Sequence, residues 1–144
     1  MRSTLRSLSA ALAVAAASCG IVEERWPSEV AFEMRGKAGQ QAMAIYSRDF
    51  IAGVDVEGVT QVGVLSSDTV LHTLPIDTTM SIAREQKWLV QVEALEGDTL
   101  DVSVSVEVDG RSLIAESGGI FPGDPWHFVY VFRQRLTRRL DVRF

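Results

Sequence analysis

The 144 residues carry 14 basic and 19 acidic side chains, a formal net charge of −5, with 47% hydrophobic residues and one cysteine. That length holds one domain, and a lone Cys19 excludes a disulfide within the chain. The acidic balance excludes a general binder of nucleic acid or of anionic lipid.

Residues 1–19 read as a targeting signal and stand outside the fold. Arg2 and Arg6 give a basic start, and Leu8–Ala17 (LSAALAVAAA) is an apolar run too short for a good membrane span. Ala16-Ala17-Ser18-Cys19 is a small-residue site ending in cysteine, and it resembles a bacterial lipobox. Cys19 is then the acylated first residue of the mature protein, and the membrane is its first partner. Ala16 stands where leucine is more usual, so ordinary cleavage at the nearby alanines is the alternative. Loss of Arg2 and Arg6 leaves 12 basic against 19 acidic side chains, a net charge of −7. The address is the extracytoplasmic side of the cell envelope. Gly20 replaces the aspartate that retains many lipoproteins in the inner membrane, which favours the outer membrane where two are present.

Residues 20–29 form a charged tether with Pro27. Trp26 either caps the edge of the domain or lies at the lipid interface. From Val30 to Phe132 the pattern is a succession of strands. Val30, Phe32 and Met34 alternate with polar residues. Gln41–Ser47 is apolar on both faces, as expected of a strand inside a sheet. Asp49–Leu74 predicts two or three strands of unfixed pairing, with turns at Glu57-Gly58 and Ser66-Ser67-Asp68. Thr78–Ala83 and Trp88–Ala94 follow.

The strongest signal is Thr99–Gly119. Val102, Val104, Val106 and Val108 alternate with Asp101, Ser103, Ser105 and Glu107, a period of two. Asp109-Gly110 tolerates the positive φ of a two-residue type I′ turn. That turn predicts Val106 opposite Leu113, Val104 opposite Ala115, Glu107 opposite Ser112 and Ser103 opposite Glu116. Gly118–Pro125 reads as a loop, and Trp126–Phe132 as the last firm strand. Seven to nine strands without a helical period predict an all-β fold, an antiparallel β-sandwich or else a closed barrel.

Phe32–Ser47, Leu74-Pro75-Ile76 with Thr78–Ala83, and Val104–Arg111 followed by Ser117-Gly118-Gly119 come in an order that resembles the small exported Ig-like domains of the mycobacterial MmpS type. Ile76 stands where that family has tryptophan, and a lipobox replaces its membrane helix. The resemblance implies an Ig-like β-sandwich. It also implies a role beside membrane transporters that export lipids and siderophores.

Residues for catalysis are sparse. His72 and His127 are the only histidines, and no G-x-S-x-G elbow, C-x-x-C, H-x-x-x-H, EF-hand loop or phosphate-cradling glycine loop occurs. Asp98, Asp101, Asp109 and Asp124 are either solvated turn carboxylates or a calcium site at one end of a sandwich. The sequence therefore predicts no enzyme, no metal and no cofactor.

Two candidate partner-binding surfaces remain. Trp126, Phe128 and Tyr130, with Phe132, form an aromatic row that either packs in the core or docks a partner. The tail, residues 133–144, holds Arg133, Arg135, Arg138 and Arg139. It is an arginine-guarded edge strand, a helix, or a basic strip that meets headgroups or an acidic partner. The leading expectation is a lipid-anchored, non-catalytic envelope scaffold that meets a protein partner beside an export system. The alternative is a carrier of a small apolar ligand between the sheets, closed by Trp88 or Trp126. A pocket of several hundred Å³ is the feature that separates them.

Overall fold

The computed structural model describes residues 25–144. Cys19, the signal and the first part of the tether lie outside the described residues. The described chain is all-β and forms nine strands: β1 Glu29–Arg35, β2 Gln41–Val54, β3 Thr60–Thr73, β4 Ile76–Ser81, β5 Lys87–Ala94, β6 Leu100–Val108, β7 Arg111–Ile120, β8 Trp126–Val131 and β9 Leu140–Arg143. One sheet has the order β4-β1-β6-β7, and the other has the order β8-β5-β2-β3-β9. All pairs are antiparallel except β3–β9, which is parallel, so the expected purely antiparallel sandwich is in fact mixed.

The period-two patterns place the core between the sheets. Val30, Phe32 and Met34 of β1, Trp88, Val90 and Val92 of β5, and Val102, Val104 and Val106 of β6 are all buried in one cluster. Burying a side chain of this size contributes roughly 1.5–3 kcal/mol each. Phe32 sits at the aromatic centre, its ring 5.8 Å from Trp88, 6.0 Å from Trp126 and 6.4 Å from Tyr46.

Asp109 and Gly110 have φ of 49° and 74°, the pair of positive values that a type I′ turn requires. The expected register holds only as far as Glu107 opposite Ser112. A bulge then sets Val106 opposite Ile114, Val104 opposite Glu116 and Ser103 opposite Ser117. One extra residue reverses the facing of all that follows it. Leu113 and Ile114 therefore both reach the core, and Ile120 is buried. β7 also runs through Gly118 and Gly119, where the sequence pattern read a loop.

The segment of unfixed pairing is one long hairpin of two 14-residue strands. Ser66-Ser67-Asp68 is strand, not turn. Its polar residues lie opposite a bulge in β2, between Tyr46 and Asp49, and a second shift follows between Asp49 and Phe50. Past these bulges Phe50, Val62 and Leu89 form a second buried cluster with Val129, Val131 and Val142. The outer half of the hairpin, with β9, thus covers the face of β5 and β8 that points away from the main core. That explains why β8 is apolar on both sides although it is an edge strand.

The tail ends in a short edge strand, β9, rather than a helix. Thr60 Oγ1 accepts the Thr137 N–H at 2.9 Å, and the Thr60 N–H donates to the Arg139 carbonyl at 2.8 Å. β9 then pairs with Thr60–Gly63 of β3.

Candidate functional site

Both sheets end in a free edge on the same side, β7 in one and β8 in the other. Between them and the tail lies a cavity of about 650 Å³. Trp126 and Phe128 stack along one wall, 6.4 Å apart and 9° from parallel. Leu113 and Ile114 of β7 form the opposite wall, and Leu136 and Leu140 close over it. The mouth is polar. Glu116 accepts the Trp126 indole N–H at 2.7 Å and meets Arg138 at 3.8 Å.

The bulge in β7 builds this arrangement. The unbulged register turns Glu116 to solvent opposite Ser103. The observed one places it opposite Val104, on the face that looks toward β8. Glu116 and the β7 wall are thus the site residues that sequence reasoning missed. The period of two carries no sign that Leu113 is an extra residue between Ser112 and Ile114 on β7.

His127, beside Trp126 on β8, also lines the cavity. Burial holds its imidazole below the usual histidine range, and Glu93 and Asp124 pull in the opposite direction. It is therefore neutral near pH 7. The cavity combines hydrocarbon walls with two carboxylates, Glu116 and Asp124, one guanidinium and one neutral imidazole. Such a set can hold an apolar body and orient one polar group.

The structure gathers some of the expected residues and separates others. Trp126, Phe128 and Arg138 meet in this cavity. Tyr130 packs against the main core. The Arg133 guanidinium lies over Phe132, 5.0 Å from the ring centroid. Arg135 is exposed, and Arg139 gives its carbonyl to Thr60. Trp126, Phe128 and Tyr130 are half-buried and packed against the main core, and Arg133, Arg135, Arg138 and Arg139 are all exposed. Trp26 lies against Phe132 at 5.9 Å yet is 66% exposed. Among the described residues no group of three or more His, Cys, Asp or Glu is placed to hold a metal ion. Asp109, one of the four carboxylates weighed for calcium, accepts hydrogen bonds from Ser28 and Glu29.

Comparison with protein-family models, with curated proteins and with solved structures finds no match.

Proposed function

We propose that this chain is a non-catalytic envelope domain of Ig-like type that carries a small apolar or amphiphilic ligand in the cavity between β7 and β8. The observation that carries this reading is the cavity itself: aromatic and aliphatic on its walls, charged at its mouth, and lined by Trp126. Its volume lies within the range of small-molecule sites, about 300–1,000 Å³. The inward turn of Trp126 and Phe128 favours a ligand between the sheets over a protein docked on an outer strip. A lipid anchor on Cys19 and an outer-membrane address belong to the same reading, and both rest on the sequence of residues 1–20. The resemblance to MmpS-type domains agrees with a ligand of lipid character handled beside an exporter.

The test is calorimetric titration of the full chain with oleate. Saturable one-to-one binding is the expected result, abolished when Ile114→Trp fills the cavity. Binding that survives Ile114→Trp in a folded protein, or no binding in the unaltered chain, overturns the reading. Capture of an envelope protein by the unaltered chain and by Ile114→Trp alike favours the scaffold instead.

A further inference from the structure

We propose a second ligand site, for a neutral saccharide, in the cleft on the opposite side of the sandwich. β4 ends one sheet there, and β3 beyond Gly63 has no partner on its outer side among the described residues. Between these edges lies a cleft of about 1050 Å³, larger than the cavity beside β8. Its chemistry is different. Serines and threonines supply much of the wall, Ser66, Ser67 and Thr69 from β3 and Thr78 from β4. Arg48, Arg84 and Lys87 are matched in number by Asp49, Asp68 and Glu85, so the lining carries no net formal charge. An anion meets as many carboxylates as cations in this cleft. A long hydrocarbon chain strips water from hydroxyls without replacing their hydrogen bonds. A neutral polyhydroxylated molecule offers donors and acceptors together, and it matches such a lining.

The floor carries a second and independent indication. Tyr46 and Trp88 stack there, 6.3 Å apart and 29° from parallel. The Tyr46 hydroxyl is already engaged with His72 Nε2 at 3.0 Å. Trp88 is fully buried, lines the cleft, and has no hydrogen-bond partner for its indole Nε1–H among the described residues. A buried donor left without an acceptor costs about 1–3 kcal/mol. An acceptor entering from the cleft, such as the carbonyl of an acetamido sugar, removes that cost. It reaches the indole by displacing the side chains that cover it, and the hydrogen bond gained offsets the displacement. This proposal does not depend on the apolar cavity, which shares no lining residue with the cleft.

The experiment follows the indole N–H resonances of the ¹⁵N-labelled full chain during titration with chitotetraose. The expected result is a saturable shift of the Trp88 indole signal while the Trp126 signal stays in place. Asp68→Ala, an exposed change on the cleft wall, weakens the affinity about tenfold, the equivalent of one hydrogen bond. A Trp88 signal that does not move, a shift of equal affinity in Asp68→Ala, or a shift of Trp126 alone overturns the proposal. So does an equal Trp88 shift with inorganic phosphate, which makes the site an anion site.

Discussion

The indole N–H of Trp126 donates to Glu116 Oε1 at 2.7 Å, and this bond ties the edge strand of one sheet to the edge strand of the other. Arg138 completes the bridge, 3.8 Å from the Glu116 carboxylate. The bond joins β7 to β8 across the mouth of the apolar cavity.

Glu116→Ala therefore lowers stability by about 1 kcal/mol, below the usual range of a charge-assisted bond because Glu116 is exposed to solvent. Glu116→Gln keeps an acceptor and loses less. Urea midpoints measure both. The Trp126 emission shifts to the red in the alanine variant as the edge opens to water.

Thr60 holds the tail in place. It is fully buried, and its hydroxyl meets both the backbone N–H and the hydroxyl of Thr137. Thr60→Val keeps the shape but leaves the Thr137 N–H without its acceptor, at a cost of about 1–3 kcal/mol. Hydrogen exchange at Leu140–Arg143 rises selectively, because among the described residues β9 pairs only with β3. Exchange that rises equally in β1 and β5 points to global unfolding and contradicts the clamp.

Much of this fold is legible in the residues because burial follows parity. Val30, Phe32, Met34 and the β6 valines declare their face by alternation alone, and Asp109-Gly110 declares its turn by the φ it tolerates. The bulges are not legible. Leu113 and the residues around Asp49 look like ordinary strand members, and only long-range pairing shows that one residue too many has been inserted. For the same reason the cavity was half visible. Trp126 and Phe128 stand out as aromatics, but the Glu116 that meets them faces the wrong way in any unbulged reading. The tail was ambiguous because Leu136 and Leu140 fit either period. Its partner, Thr60, lies 77 residues from Thr137.

Phe32 is the hinge of the aromatic core, in contact with the rings of Tyr46, Trp88 and Trp126. Phe32→Ala opens a void between both sheets and costs about 3–5 kcal/mol. That is a large share of the roughly 5–15 kcal/mol available to a domain of this kind. Phe32→Leu fills part of the void and costs less. Near-ultraviolet circular dichroism falls sharply in the alanine variant, since the tryptophans lose the packing that fixes them.

Asp109 gives the domain an acid-sensitive fastening. Its carboxylate accepts the Ser28 hydroxyl at 2.6 Å, the Ser28 N–H and the Glu29 N–H, which join the tether to the β6–β7 turn. The Ser28 hydrogen bond is the main cause that holds its carboxyl below the ordinary aspartate range, and the N–H groups of Glu29 and Ser28 add to it. A depressed pKa in the folded state stabilises above the unfolded value, near 4, and that stabilisation fades as pH falls through the folded pKa. Because the group is exposed, the effect is modest. Asp109→Asn retains tolerance of the positive φ and removes only the charge. The variant is therefore less stable than the unaltered chain at pH 6, and the gap closes as pH falls through the depressed folded pKa. Urea midpoints across that interval read the convergence. A gap that persists unchanged into acid shows that the charge of Asp109 plays no part in holding Ser28.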